Sequence, residues 1–283
     1  MSAVPHLHLP DGTTARRVDL PGGPLAVLDA VPVGTQRGTV VLVPGFTGSK
    51  EDFLLVLGPL TEIGLRCVAI DQRGQFESPG PEDHAAYTTE ALGTDLLHLV
   101  DALGDGPVHL VGHSFGGLVG RAAVLQDSSR FLSFVLLDSG PSALTGGRAD
   151  VLPFLKPILL DGGLEAVWDA TQGLPPHPGK PPVTEDVRDF LRARLLGGSA
   201  AGLLAMADSL TSEPDRVEEL RDAGLPLLVV YGEQDDAWLP EQQDEMAARL
   251  GAPVVVVPGA FHSPAVENPA LTAQVLRDFL TSQ

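Results

Sequence analysis

The sequence predicts an α/β fold: a doubly wound, mostly parallel, eight-stranded sheet with an inserted helical cap. Three observations support this fold class. Short, continuously apolar runs typical of buried strands alternate along the chain with amphipathic segments typical of helices. Two β-like runs near the N-terminus are separated by a Pro-Gly-Gly-Pro turn. One long interval contains helical patterns but no strand pattern.

The two N-terminal runs, 14–20 and 25–31, are predicted to form an antiparallel hairpin because the turn at 21–24 separates them. The apolar runs that follow are mostly too continuous for a half-exposed sheet, so we expect fully buried strands. These runs span residues 39–43, 65–70, 108–111, 134–137, 227–231 and 254–257.

Helical patterns fill the intervals between these strands, as crossovers between parallel strands require. The core helices are predicted at 51–63, 89–103, 118–126, 240–250 and 269–280. The interval without strands, 141–221, is predicted to be a cap inserted between core segments 1–140 and 222–283, with a loop at 173–182. The cap helices are predicted at 151–160, 164–171, 185–196 and 200–210. A pocket is expected between the cap and the carboxyl ends of the strands.

Composition is that of a folded globular protein. The 283 residues suffice for one large core, and 43% hydrophobic with 19% charged residues argue against long disordered segments. The formal net charge of −19 disfavours contact with phosphate backbones or anionic lipid headgroups. We therefore expect no nucleic-acid partner and no membrane partner.

The cysteine content and the N-terminus indicate the compartment. Cys67, the single cysteine, cannot form an internal disulfide and is predicted to be a buried core residue. The first residues, MSAVPH, have neither a basic start nor an apolar signal segment, and no later run is long enough to span a membrane. A soluble, cytoplasmic protein is expected.

The most informative motif is Gly-His-Ser-Phe-Gly at 112–116, between an apolar strand and a helix. Glycines at both second neighbours of Ser114 allow a turn too tight for side chains there. Such a nucleophile elbow aims the hydroxyl at a helix start, whose free N–H groups can stabilise an oxyanion. Glycine-rich loops can show this pattern by chance, but the strand before and the helix after favour the elbow.

A serine hydroxyl is a weak nucleophile, so Ser114 needs a base within hydrogen-bond reach and an acid that orients the base. His262 is the candidate base. It follows the strand at 254–257 and a short turn, and therefore lies at the sheet edge where Ser114 emerges. The other seven histidines lie in the strand and elbow themselves or lack a position at a strand end.

Asp235 is the candidate acid, because it follows the strand at 227–231 within Gly-Glu-Gln-Asp-Asp. Three alternatives remain. Asp138 comes at the end of the strand 134–137, and Asp236 or Glu233 could replace Asp235 in the same loop.

The order Ser114, Asp235, His262 along a parallel sheet resembles the α/β-hydrolase fold family, over almost the whole chain. Further stretches resemble landmarks of that family: Pro-Gly-Phe-Thr-Gly at 44–48, Asp-Gln-Arg-Gly at 71–74 and Gly-Ala-Phe-His at 259–262. The resemblance implies that the first stretch is the oxyanion loop. The backbone N–H groups of Phe46 and Phe115 would then bind the oxyanion.

Two departures from the family pattern concern this region. Pro44 stands where many relatives carry a histidine that helps to hold the oxyanion loop, so this loop must be held differently. Phe76 stands where relatives usually have a second glycine, which predicts a bulkier loop at the entrance. Asp71 and Arg73, in the same stretch, are expected to form a structural ion pair.

The resemblance implies acyl transfer to water, with a small or medium carboxylic ester, or a related thioester or lactone, as substrate. Alternatives are a cofactor-free perhydrolase or haloperoxidase, a carbon–carbon bond hydrolase or lyase, and a non-catalytic scaffold. Relatives that act on epoxides or haloalkanes use an aspartate at the elbow, so Ser114 argues against them. No cofactor is expected, and no His–carboxylate spacing indicates a metal ion. Candidate pocket residues are Trp238, Phe261, Phe154 and Trp168.

Overall fold

A computed structural model describes residues 2–173 and 183–283. Eight strands form one sheet in the order β1-β2-β4-β3-β5-β6-β7-β8. The strands are β1 (Thr13–Val18), β2 (Leu25–Ala30), β3 (Gly38–Val43), β4 (Leu65–Ile70), β5 (Val108–His113), β6 (Phe131–Leu137), β7 (Leu227–Gly232) and β8 (Val254–Val257). Strands β1 and β2 form the predicted antiparallel hairpin, β2 pairs antiparallel with β4, and all other neighbours are parallel. The predicted fold class is confirmed.

Ten α-helices connect and flank the strands within the described residues. They are α1 (Leu54–Thr61), α2 (Thr89–Leu103), α3 (Phe115–Gln126), α4 (Leu152–Gln172), α5 (Glu185–Leu196), α6 (Ala200–Ser212), α7 (Val217–Asp222), α8 (Pro240–Leu250), α9 (Pro264–Glu267) and α10 (Pro269–Leu280). The short helices α7 and α9 were not predicted, because six and four residues are too few to show a helical period.

The helices cover both faces of the sheet, which is the doubly wound arrangement. Valines 41 and 43 of β3 face a cluster with α2, α3, α6, α7 and α8, whereas Val40 and Leu42 face α1 and α10. This alternation follows from the period of two in a strand, and it gives a parallel sheet a core on each side. Cys67 is fully buried and unpaired, as predicted.

Strand β8 corrects one expectation. It was predicted to be fully buried, but Val254 and Val256 are 36% and 41% exposed, and Val257 is the buried member. The reason is its position at the edge of the sheet, where it pairs with β7 alone. An apolar run identifies a strand, but it does not distinguish a central strand from an edge strand.

The interval between β6 and β7 contains α4, α5, α6 and α7. Helix α4 is broken at Gly163, with φ of 67°, so the two segments predicted at 151–160 and 164–171 meet at this glycine. Helices α4, α5 and α6 share their own buried cluster, in which Trp168 packs with leucines, and Phe46 of the core contacts it. The loop predicted at 173–182 lies, after its first residue, outside the described residues.

Among residues 2–173 and 183–283, no single helix has the length and apolar content needed to cross a membrane. Helices α5 and α6, bent by 90° at their junction, meet that requirement only as a pair.

Candidate active site

Ser114 lies on a sharp turn between the end of β5 and the start of α3. Its φ of 54° and ψ of −121° are sparsely populated for a residue with a side chain. Its N–H donates to the carbonyl of Leu137 at 2.9 Å, and its own carbonyl accepts from the N–H of Gly117 at 2.8 Å. The Ser139 hydroxyl donates to the same carbonyl at 2.9 Å. These bonds hold the serine in its strained conformation.

The glycines on either side of Ser114 make this turn possible. A β-carbon on Gly112 would lie 2.6 Å from the Cα of Gly117. A β-carbon on Gly116 would lie 2.6 Å from the carbonyl oxygen of Pro44. Both separations are shorter than real contacts of a Cβ atom, so only glycine fits at either position.

Three side chains from the carboxyl ends of β5, β7 and β8 meet in one hydrogen-bonded row. The Ser114 Oγ lies 2.8 Å from His262 Nε2, and His262 Nδ1 lies 2.7 Å from Asp235 Oδ1. All three are buried, with exposed fractions of 6%, 5% and 3%. The other oxygen of Asp235 accepts from Gln243 Nε2 at 2.8 Å, and the Ala237 N–H donates to Oδ1 at 2.9 Å.

Burial lowers the pKa of His262 below its usual range, and the Asp235 carboxylate offsets this only in part. The imidazole is therefore neutral at neutral pH. In this state its Nδ1–H donates to Asp235, and Nε2 accepts the hydroxyl proton of Ser114. The arrangement can move a proton from the serine oxygen to the imidazole and stabilise the imidazolium that results.

Backbone N–H groups lie beside the serine on two sides. A β-carbon on Gly45 would lie 2.9 Å from Ser114 Cβ and 3.3 Å from its Oγ, so the chain at 44–48 passes directly against the hydroxyl. Phe46 follows Gly45 in this loop. Phe115 is the first residue of α3, where backbone N–H groups have no acceptor within the helix.

Two glutamines hold the loop in which Pro44 replaces the expected histidine. Gln72 Nε2 donates to the carbonyl of Pro44, and Gln75 Nε2 donates to the carbonyl of Gly45, both at 2.9 Å. Gln75 Oε1 in turn accepts from the Gln72 N–H at 3.2 Å. Sequence reasoning missed both residues. The sequence could have indicated them. The Asp-Gln-Arg-Gly-Gln stretch follows β4, the loop at 44–48 follows β3, and these two strands are neighbours in the sheet.

The expected ion pair between Asp71 and Arg73 is wrong. Asp71 binds Lys50 Nζ at 2.8 Å, and Arg73 binds Asp95 of α2. Both residues have structural ion pairs, but with partners distant in sequence, because their side chains leave the turn in different directions. Lys50 Nζ also lies over the Phe76 ring, 4.6 Å from the ring centre, and this contact helps to hold the loop at Phe76.

The alternative acids lie near Ser114, His262 and Asp235, but none of them has a hydrogen bond with the imidazole in this structure. Asp236 Oδ1 accepts from Arg148 Nε at 2.7 Å, and its pKa is lowered because this guanidinium outweighs the effect of burial. Asp138 is fully buried and accepts from the Gly232 N–H at 2.9 Å. Glu233 Oε2 accepts from the Gly259 N–H.

Asp138, Asp235 and His262 form the one cluster, within the part of the chain that the structure describes, whose atoms could share a metal ion; these atoms lie within 4.8 Å of one another. The imidazole is already engaged on both nitrogens, by Ser114 and by Asp235. Its hydrogen bonds therefore suit an acid–base set, since a metal ligand must leave one nitrogen free for the ion.

The four candidate pocket residues occupy different environments. Trp238 is fully buried; its Nε1 donates to the Ser142 carbonyl at 3.0 Å, and its ring centre lies 6.3 Å from that of His262. Trp168 is buried within the cluster of α4, α5 and α6, and Phe261 is half-buried directly before His262. Phe154 is 69% exposed on α4. The apolar residues of the segment 151–160 predicted a helix, but they did not reveal that Phe154 faces solvent.

A small cavity lies between the loop at 44–48 and helices α4, α5 and α6, with about 20 Å³ in which the centre of a water molecule fits. None of the four candidates lines it. Its walls include Thr47, Gly48, Gln75, Phe76, Leu164, Arg194, Leu195, Leu203 and Met206. Phe76 is one of these walls and packs edge-to-face on Phe190, with ring centres 5.7 Å apart.

His113 is a further residue that sequence reasoning set aside. Its Nε2 lies 2.6 Å from the carbonyl oxygen of His262, so the Nε2–H donates to that backbone group. Burial, together with the neighbouring His262, lowers the pKa of His113 to about 3. His113 stays neutral and fastens the loop of His262 to the elbow. A residue next to the nucleophile cannot reach round the turn to its hydroxyl, but it can reach the loop opposite.

Comparison with known proteins identifies the family. The model described as the alpha/beta hydrolase family matches residues 40–275 of the chain. The match covers most of the sequence, and the chain belongs to this family. The resemblance inferred from the motifs is confirmed.

Two curated relatives and one solved structure illustrate the similarity. The chain is 29% identical over 266 residues to a Bacillus subtilis (strain 168) protein named 2-succinyl-6-hydroxy-2,4-cyclohexadiene-1-carboxylate synthase, covering 91% of this chain and 94% of the relative. It is 39% identical over 100 residues to a Variovorax paradoxus (strain S110) protein named carbamate hydrolase RutD, covering 35% of this chain and 37% of the relative. A carboxylesterase structure from Nitrososphaera gargenis superposes with a TM-score of 0.78 at 20% identity, covering 94% of this chain and 98% of the other, which shows the fold alone.

The family match and the curated relatives support a hydrolase-type enzyme. The bond that it cleaves is a separate question, because one fold and one site serve several reactions.

Proposed function

We propose that the protein is a serine hydrolase that cleaves a small or medium carboxylic ester, or a related thioester or lactone, through a covalent acyl-enzyme. The observation that carries this proposal is the row Ser114 Oγ, His262 Nε2, His262 Nδ1 and Asp235 Oδ1, with separations of 2.8 and 2.7 Å. These distances meet the requirement for proton transfer to a base that is itself oriented by an acid.

In the proposed reaction, Ser114 Oγ attacks the substrate carbonyl carbon while its proton passes to His262 Nε2. The N–H groups of Phe46 and Phe115 stabilise the oxyanion that forms on the carbonyl oxygen. Collapse of this intermediate breaks the carbon–oxygen bond to the alcohol, which leaves with the proton from His262. Water then attacks the acyl carbon, again with His262 as base, and releases the acid and the free serine.

The walls of the cavity favour a compact, largely apolar substrate. The lining of this cavity includes the apolar side chains of Phe76, Leu164, Leu195, Leu203 and Met206. Ser114 and His262 do not line it, and Thr47 and Gly48 of the loop at 44–48 connect it to the serine side of that loop. The cavity is small in this structure, so we expect helices α4 to α6 to shift when substrate enters. Esters need less assistance to their leaving group than amides do, which favours an ester as the substrate.

A carbon–carbon lyase reaction at the same residues is the second candidate. It is favoured by the 29% identical relative, which matches nearly the full length of both chains and whose name denotes a carboxylate synthase. In that reaction His262 would move a proton without an acyl-enzyme.

The test is a panel of p-nitrophenyl esters from acetate to octanoate, together with lactones, assayed on the wild type, Ser114→Ala and the exposed control Ser282→Ala. We expect Ser114→Ala to lose at least about 10³-fold in kcat and Ser282→Ala to be unchanged. A fluorophosphonate probe should label the wild type and Ser282→Ala but not Ser114→Ala.

Two results would redirect the proposal. Labelling at Ser114 without turnover of any ester or lactone would favour the lyase candidate, since the serine is reactive but the acyl chemistry is absent. Undiminished hydrolysis by a folded Ser114→Ala protein would exclude the acyl-enzyme altogether. Peroxide-dependent halogenation in acetate buffer should be negligible for an esterase.

A further inference from the structure

Asp138 is a buried acid that the proposed reaction does not use. It directly follows β6 and is fully buried. Its N–H donates to the Val230 carbonyl at 2.8 Å, and its Oδ1 accepts from the Gly232 N–H at 2.9 Å. Its φ of 45° lies in the left-handed region. These bonds tie the backbone and the carboxyl group of Asp138 to the C-terminal half of β7, so its position beside the loop of Asp235 is fixed by the sheet.

The surroundings of Asp138 leave one of its oxygens without a partner. Oδ2 is buried and has no hydrogen bond among the described residues. A carboxyl oxygen of Asp138 lies within 4.8 Å of ligand atoms of both Asp235 and His262. An ionised Asp138 would place a second buried negative charge beside the first, with a neutral imidazole between them and solvent.

We propose that Asp138 is held as a neutral carboxylic acid whose Oδ2–H donates to Asp235, so that the two buried carboxyl groups share one negative charge. In this arrangement Asp138 is a positioning residue: it acts on the reaction through Asp235 and touches no reacting atom. The inference rests on the proposed function for its catalytic meaning, but the state of the two acids can be measured without turnover.

The energetics favour the neutral form. Burial, followed by repulsion from Asp235, raises the pKa of Asp138 well above its usual range, and the Gly232 N–H offsets this only in part. The negative charge is better stabilised on Asp235 than on Asp138, because Asp235 accepts hydrogen bonds from His262, Ala237 and Gln243. Of two neighbouring buried carboxyl groups, the one that accepts more hydrogen bonds is the one that is ionised.

The shared charge affects the protonation of His262. A hydrogen bond donated by Asp138 draws negative charge from Asp235 and weakens the stabilisation of the protonated imidazole. The base then stays neutral while Asp235 still orients it. Other charged or titratable groups that face this region are Asp236, Arg148, His113 and Glu267.

Asp138→Asn separates the two charge states. The amide has nearly the same shape, can donate to Asp235 and accept from Gly232, and suits a positive φ. If Asp138 is neutral, the substitution changes no charge, and the pKa of His262 should move by less than about 0.3 unit. If Asp138 is ionised, removal of the charge should lower the pKa of His262 by about one to two units.

Asp236→Asn is the matched control. Asp236 belongs to the same loop as Asp235, its pKa is lowered, and it contributes to raising the pKa of His262. Loss of its charge should therefore lower the pKa of His262 measurably. Asp138→Gly supplies the opposite case: glycine accepts the positive φ but removes the donor, so the pKa of His262 should rise, by on the order of one unit.

The measurement is an NMR titration of the His262 ring in the full-length protein, with the resonance assigned by its loss in His262→Gln. No shift in Asp138→Asn beside a downward shift in Asp236→Asn supports the proposal. A comparable downward shift in both variants overturns it. Because the titration does not depend on turnover, an inactive enzyme with this pattern would refute the proposed function and leave the inference standing.

A second measurement on the wild type covers the case in which Asp138→Asn does not fold. The carboxyl carbon of Asp138, assigned through its own backbone resonances, should have the chemical shift of a neutral acid at pH 7. The shift of an ionised carboxylate at that pH would overturn the proposal.

Discussion

At the scale of single residues, the proposed reaction depends on the charge state of His262. The imidazole must be neutral to accept the serine proton, and its pKa is lowered chiefly by burial. The Asp235 carboxylate acts in the opposite direction but does not cancel the effect of burial.

This balance predicts the pH dependence of hydrolysis. Because the pKa of His262 lies below its ordinary value of 6.5, kcat/KM should be level at neutral pH and fall as the pH drops through that lowered value. A pH profile of p-nitrophenyl acetate hydrolysis, over the range in which circular dichroism shows a folded protein, measures it. An acid limb centred above pH 7 would contradict the assignment of His262 as a buried neutral base.

Part of this residue-level chemistry could be predicted from sequence. Ser114 and His262 were found because each occupies a diagnostic position after a strand. Asp235 was the preferred acid, but Asp138, Asp236 and Glu233 stayed open as alternatives, since all four follow strands of the same sheet. The choice between them depends on side-chain directions, which local sequence does not specify.

At the scale of elements, the turn at Ser114 and the loop at 44–48, proposed to bind the oxyanion, depend on close backbone approach. Helix α3 can begin at Phe115 only because Gly116 lets the chain at 43–44 pass within contact distance. The loop after β3 is held in turn by the glutamines that follow β4.

Gly116→Ala should destabilise the protein by about 2 to 4 kcal/mol, because the added methyl group meets backbone atoms that cannot move aside. Urea denaturation measures the change. Gly147→Ala, at an exposed glycine with no atom within 4 Å of the added carbon, is the matched control and should change stability by less than about 0.5 kcal/mol. Equal effects of the two substitutions would show that the close approach at Gly116 has no energetic role.

Gln75→Ala should lower kcat by roughly 10-fold and leave KM within about 2-fold, because it frees the Gly45 carbonyl and loosens the adjacent Phe46 N–H. The exposed Gln274→Ala is the control. A change confined to KM would indicate that Gln75 contributes to substrate binding through the cavity wall and does not position the oxyanion loop.

At the scale of the whole molecule, a buried ion pair fastens the helices between β6 and β7 to the core. Arg194 of α5 binds Asp52, before α1, at 2.7 Å, and both side chains are almost fully buried. Its Nη2 also donates to the Ser2 carbonyl at 3.0 Å. Such a pair adds little net stability over apolar residues, but loss of one partner leaves the other charge buried alone.

Arg194→Met should therefore cost about 3 to 5 kcal/mol in the free energy of unfolding, and Asp52→Leu on the same background should restore much of it. Arg221→Met, at an exposed pair with Asp222, should cost less than about 1 kcal/mol. Urea denaturation compares the three proteins. A double variant no more stable than Arg194→Met would mean that shape, and not charge, determines the cost.

The family and the sheet are established by the match over 40–275 and by the strand order. The division into a core and a cap at 141–221, a cytoplasmic location, and the absence of nucleic-acid and membrane partners stay predictions. The core-and-cap division rests on the interval without strands, and the location on the residues MSAVPH and the lack of a run long enough to span a membrane. The expected absence of nucleic-acid and membrane partners rests on the net charge of −19.

The sequence by itself determined the strand and helix pattern, the family, and the placement of Ser114 and His262 after strands of the sheet, because each is encoded in a local run of residues. Only the tertiary structure decided which carboxylate meets the imidazole, which side chains hold the oxyanion loop, and which partners Asp71 and Arg73 take. These outcomes depend on contacts between residues far apart in the chain. Their geometry exists only once the strands have paired in order.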